Sequence, residues 1–167
     1  MTKVLVFGDS LVNGLEFSDS YEIGYHVESY PGLLARDAEA LLQITLSESE
    51  YDVVALCLGT NDLGHGLLPQ DVVNSVLHLH HIIRAKSSST QIIAMNLHSN
   101  FHLFNDLFGS QAAEEIEFLG FFYELEEGDL VSDQFHLSAQ GRIHFAECIE
   151  ECVEELVCAF NHSVALV

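Results

Sequence analysis

A chain of 167 residues, 49% of them hydrophobic and 19% charged, has the length of one domain and can bury a core without disulfide or metal staples. Its formal net charge of −21 comes from 26 acidic against 5 basic residues, which excludes the basic footprint that nucleic-acid binding needs and disfavours polyanions and anionic lipid surfaces. No apolar run reaches membrane-spanning length, and the N-terminus enters a strand-like run with no signal-peptide pattern, so a soluble, cytoplasmic protein is expected. Of the four cysteines, Cys57 lies in an apolar run and Cys148, Cys152 and Cys158 share one helical segment, an arrangement that fits reduced thiols rather than a cross-linked framework.

The predicted elements alternate. "KVLVF" (3–7) is a continuous apolar run, as in a strand buried on both faces. "YHVES" (25–29) reads as a weaker strand, and "PGLLARDAEALLQ" (31–43) as a helix with Pro31 in its first turn. "YDVVALCL" (51–58) is the strongest strand. "PQDVVNSVLHLHHIIRAK" (69–86) is helical, with Val72, Val76, Leu79 and Ile83 on one face. "TQIIAMNL" (90–97) is again a strand, 102–118 is partly helical, and "GFFYEL" (120–125) is a last, aromatic strand. Ser138 can cap a final helix whose apolar stripe is Ala146, Ile149, Val153, Leu156 and Phe160, with glutamates over the solvated side. No repeat or linker divides the chain, so one domain over 1–167 is expected. Strand–helix alternation predicts an α/β fold, a three-layer α/β/α sandwich around a mostly parallel sheet of about five strands in flavodoxin-like order 2-1-3-4-5.

In such a sheet, ligands bind beyond the carboxyl ends of the strands. Four polar stretches fall there: "GDS" after the first strand, "SYPG" after the second, "GTND" after the third and "SDQFH" after the last. Asp9 or Ser10 can serve as a helix cap; Ser10 can equally be a nucleophile, given a base to take its proton. His136 is a suitable base, and Asp133, three residues earlier, can fix its tautomer. The oxyanion of an acyl transfer needs preorganised donors, for which the N–H of Ser10, the N–H of Gly32 and the side-chain amide of Asn61 are candidates. Asp62 reads as structural. Glu126, Glu127 and Asp129 lie close in sequence to His136 and are expected to surround its ring.

With "FGDSLVNG", "GTND" and "DQFH" followed by "LSAQG", the chain resembles the GDSL, or SGNH, hydrolase superfamily of serine esterases over residues 3 to about 160. The resemblance implies catalytic Ser10, Asp133 and His136, and an oxyanion hole of Ser10, Gly32 and Asn61. It implies no metal and no cofactor. The glycine block is the weakest match, because Pro31 precedes Gly32 in "SYPGLLA". The G-x-S-x-G elbow of α/β-hydrolases is absent. The chain is short for the family and leaves little room for a lid, which implies an open site for short-chain acyl or acetyl esters. Thioesterase, lysophospholipase or acyltransferase activity stays open within the family, and a catalytically silent binding module outside it. The small-molecule ester is the partner expected; oligomeric state is undetermined. The histidines of "HLHH" (78–81) are expected on the exposed half of their helix, and the aromatics of "NFHLF" (100–104) fit either an acyl pocket or the core.

Overall fold

The structure is a computed structural model that describes residues 1–18, 20–115, 119–121, 125–134 and 136–165. Five parallel strands form one sheet in the order β2-β1-β3-β4-β5: β1 (Thr2–Gly8), β2 (Ile23–Ser29), β3 (Val53–Cys57), β4 (Gln91–Met95) and β5 (Leu119–Phe121). The helices are α1 (Glu39–Glu48), α2 (Thr60–Gly64), α3 (Pro69–Lys86), α4 (His102–Glu115) and α5 (Ala139–Ala165). The expected strand order is present. Residues 122–124, placed in the last strand by the sequence, lie outside the described residues.

Strand alternation builds the three layers. Leu5, Phe7, Val54, Leu56, Ile92 and Ala94 face one side and pack on α1, α3 and α4 through Leu42, Val76, Phe104 and Phe108. Val4, Val6, Val53, Ala55, Ile93 and Met95 face the other side, where Ile149 and Val153 of α5 cover them with Leu11, Val12 and Leu15. Both faces of β1 and β3 are therefore buried, which explains their unbroken apolar runs.

Two expectations need correction. No α-helix begins at Pro31. Leu33 N–H donates to the Tyr30 carbonyl at 3.0 Å, closing a turn in which Gly32 takes φ +81°. That left-handed value at the third position defines a type II turn, with Pro31 supplying the second. A short 3₁₀ turn (Ala35–Asp37) follows, and the α-helix starts only at Glu39. The second correction concerns α3. His78 and His81 are exposed, but His80 is fully buried, its Nδ1 bonded to the Val76 carbonyl at 2.8 Å and its ring against Phe108. Burial lowers its pKa to about 4. The α3–α4 contact accounts for it, since α4 closes over the face that α3 alone would show to water.

Ser138 does cap α5, its hydroxyl accepting Gly141 N–H at 3.0 Å. The side chain of Phe160 lies outside the described residues. Cys57, Cys148, Cys152 and Cys158 are not joined in disulfides. Among the described residues no helix is long and apolar enough to cross a membrane.

Candidate active site

The register places three candidates at one level of the sheet edge. Gly8, the last residue of β1, pairs with Ser29 of β2 and Cys57 of β3. Ser10 thus leaves β1 two residues past the ladder, between the turn that carries Gly32 and the short helix α2 that carries Asn61. The pairing runs on briefly: Tyr30 N–H donates to Gly8 O at 2.9 Å and Asp9 N–H to Cys57 O at 3.3 Å. Beyond Ser10 the chain bends through Val12 N–H to Asp9 O and Asn13 N–H to Ser10 O, both 3.3 Å. No helix starts here, so neither Asp9 nor Ser10 is a helix cap. Asp9 instead makes an Asx turn, accepting Leu11 N–H at 3.0 Å, and reaches across to the Thr60 hydroxyl at 2.7 Å. It is fully buried. Burial pushes its carboxyl above the usual 3.8, and the bonds from Leu11 and Thr60 pull in the opposite direction. The serine loop is thereby locked to the loop after β3.

The next two residues tie that loop to the glycine turn. Asn61 donates its side-chain amide to Leu33 O at 3.1 Å, which leaves the second amide hydrogen for another acceptor. Asp62 is fully buried and takes Ala35 N–H on Oδ1 at 2.8 Å. Its Oδ2 has no hydrogen-bond partner. Asp62 therefore shapes the segment after β2, as expected for a structural residue. Gly32 is exposed, and a Cβ there would meet nothing within 4 Å; the positive φ, not space, is what asks for glycine. Among the described residues, the N–H groups of Ser10 and Gly32 donate to no protein acceptor.

Asp133 and His136 face each other on the loop before α5. The His136 Nδ1 lies 2.6 Å from Asp133 Oδ2, and His136 N–H donates to Asp133 Oδ1 at 3.0 Å. The turn between them passes through Gln134 at φ +61°. Both side chains stay about half exposed, 51% for His136 and 47% for Asp133.

The serine and histidine loops meet at their next residues. Leu11 and Leu137 line one small cavity of about 10 Å³ with Cys57, Leu97, His98 and Phe145. The Ser10 hydroxyl itself is not hydrogen-bonded to the His136 ring among the described residues. Catalytic hydrogen bonds are commonly loose without substrate. Cys57 is no rival nucleophile, because burial pushes its thiol well above its ordinary range. A much larger cavity, about 560 Å³, opens at the opposite edge beside Thr2, Tyr21, Asp52, Val53 and Gln91.

Two of the three carboxylates expected around His136, Glu126 and Asp129, engage His144. Asp129 is fully buried and accepts a hydrogen bond from His144 Nδ1 at 2.7 Å, and Glu126 Oε1 lies 3.6 Å from His144 Nε2. The Asp129 bond holds the His144 proton above its ordinary range, against the effect of burial. His144 lies on α5, eight residues beyond His136, and nothing in the spacing signals the pair. Among the described residues, Glu126, Asp129 and His144 form the one group offering ligand-type atoms within 4.8 Å of one another. Both carboxylates pair with the one imidazole of His144. The aromatics after β4 divide: Phe104 is core, and Phe101 is half-buried against His98.

No protein-family model matches the chain, and no curated protein matches it in sequence. Solved structures do match. A carbohydrate esterase family 3 protein from Talaromyces cellulolyticus aligns with a TM-score of 0.79 at 15% identity, over 95% of this chain and 99% of its own. TesA aligns with a TM-score of 0.74 at 20% identity, over 93% and 99%. A GDSL-like lipase from Bacteroides thetaiotaomicron aligns with a TM-score of 0.74 at 13% identity, over 93% and 89%. At these identities the likeness is one of fold, and the fold is the one that the GDSL- and SGNH-type blocks implied.

Proposed function

We propose that the chain is a carboxylic ester hydrolase of the GDSL/SGNH type, acting through Ser10, His136 and Asp133. The observation that carries this reading is the hydrogen-bonded Asp133–His136 pair on the sheet edge where Ser10 emerges, its loop sharing one cavity with the serine loop. His136 Nε2 takes the Ser10 proton as Oγ attacks the ester carbon, and Asp133 stabilises the imidazolium. The N–H groups of Ser10 and Gly32 and the second amide hydrogen of Asn61 hold the oxyanion. His136 then protonates the leaving alcohol. Water attacks the acyl-enzyme with His136 again as base, and the acid leaves. The route needs no cofactor.

Short acyl groups fit best, because the dyad stands open to solvent and the cavity between Leu11 and Leu137, next to Ser10 and His136 in sequence, is only about 10 Å³. The carbohydrate esterase among the structural neighbours supports an ester substrate. A longer acyl chain, as in a thioester or lysophospholipid, is favoured by one observation: Leu68, Leu103 and Leu107 expose apolar surface at the starts of α3 and α4. Turnover of p-nitrophenyl acetate, butyrate and octanoate by wild type and Ser10→Ala separates these readings. The expected result is cleavage of the acetate and butyrate by wild type and none by the variant, with both folded by circular dichroism. A preference for octanoate moves the substrate to the longer class. Activity retained in Ser10→Ala refutes the nucleophile, and failure of a fluorophosphonate to label Ser10 favours a binding module.

A further inference from the structure

The reading of His136 as base raises a mechanical question, and this inference rests on that reading. The ring must point at Ser10, yet it and Asp133 are half exposed, so core packing does not fix them. Their loop is held at its base. Val131 N–H donates to His136 O at 2.9 Å, and Leu130 pairs with Leu137 in an isolated antiparallel bridge. One residue before that bridge stands Asp129, with no exposed surface. Its carboxylate accepts Glu126 N–H at 2.9 Å, the Gln140 amide at 3.2 Å and His144 Nδ1 at 2.7 Å. Its own carbonyl accepts Ser138 N–H at 2.7 Å. The backbone of Asp129 also lies against Gly141 so closely that a Cβ there would collide with the Asp129 carbonyl. One side of this contact is α5, anchored on the sheet by Phe145, Ala146 and Ile149. The other is the loop that carries the dyad.

We propose that Asp129 and His144 are positioning residues for the Asp133–His136 dyad: the buried carboxylate, bonded to both loop and helix, sets where the His136 ring stands. A displacement of Asp129 passes through Leu130 and Val131 to the His136 carbonyl within two residues. Errors of about 1 Å in a catalytic group cost up to about a hundredfold in rate. A partner that served only to hold the fold together would change the amount of folded protein, not the rate of each folded molecule.

The test compares His144→Ala, which removes the ring donor, with His144→Asn, whose amide nitrogen stands near the place of Nδ1. Active serines are titrated with a fluorophosphonate, so that rates are counted per competent site. The proposal expects kcat per titrated site to fall about ten- to a hundredfold in His144→Ala with KM little changed. His144→Asn should recover most of the loss. A second readout needs no turnover: the proton resonance of His136 Nδ1–H, identified by its absence in His136→Ala, should weaken or move in His144→Ala and return in His144→Asn. Unchanged kcat per site and an unchanged resonance in His144→Ala overturn the proposal, even if the melting temperature drops. If wild type cleaves no ester, the proposed function fails, and the resonance alone still decides whether Asp129 and His144 position the dyad.

Discussion

Asp9 ties the loop of the candidate nucleophile to α2 at a cost to the fold. Its carboxylate lies buried beneath the candidate nucleophile, held by Leu11 N–H and the Thr60 hydroxyl, and burial raises its pKa despite both bonds. Unfolded, Asp9 loses its proton near 3.8; folded, it keeps the proton to higher pH. Between those two values the folded state binds more protons, so stability falls as pH rises through that window and stays lower above it. Asp9→Asn removes this dependence while keeping an acceptor for Leu11. Urea unfolding of both proteins from about pH 4 to about pH 7 should show a steeper decline in wild type than in the variant. Parallel curves contradict the assignment. At this scale much of the candidate site was legible. Ser10, Asn61, Asp133 and His136 each follow a strand in a short motif, and the Asp133–His136 contact is local in sequence. The roles of Asp9 and Asp129 were not, because their partners Thr60 and His144 are distant in the chain and meet them only through the fold.

Between β2 and α1 the sequence was misread for a related reason. Pro31 and the apolar residues after it have a helical pattern, but the type II turn at Gly32 and the bond from Ala35 N–H to Asp62 impose another path. The decisive acceptor lies 27 residues away. The strands β1, β3 and β4 were legible because burial on both faces leaves an unbroken apolar run. Asp62→Ala tests the tether. It leaves the buried Ala35 N–H without its acceptor, which costs about 1–3 kcal/mol. Amide exchange at Ala35 should accelerate well beyond that at Val54, and esterase activity should fall, because the Gly32 turn and the Asn61–Leu33 bond share this segment. Equal acceleration at both amides points to general destabilisation instead.

For the whole molecule the dominant quantity is the net charge of −21. Like charges oppose compactness and repel anionic substrates, and salt screens both effects, with a Debye length falling from about 30 Å at 0.01 M to about 3 Å at 1 M. Added sodium chloride should therefore raise the melting temperature. It should also raise kcat/KM for an ester carrying a carboxylate, while a neutral ester of the same size changes by less than about twofold. A melting temperature indifferent to salt, or an anionic ester cleaved more slowly as salt increases, contradicts the picture.

The 560 Å³ cavity beside Tyr21 and Asp52 lies at the amino ends of the strands, and Ser10 lies past their carboxyl ends. Along β1 the two are separated by roughly 20 Å, at about 3.3 Å per residue. A campaign for inhibitors that rewards cavity volume would gather compounds at the end of the sheet away from Ser10. Such molecules would bind and leave ester turnover untouched. Blocking the proposed esterase calls for small electrophiles that accept an open seat and draw their hold from a bond to the Ser10 oxygen.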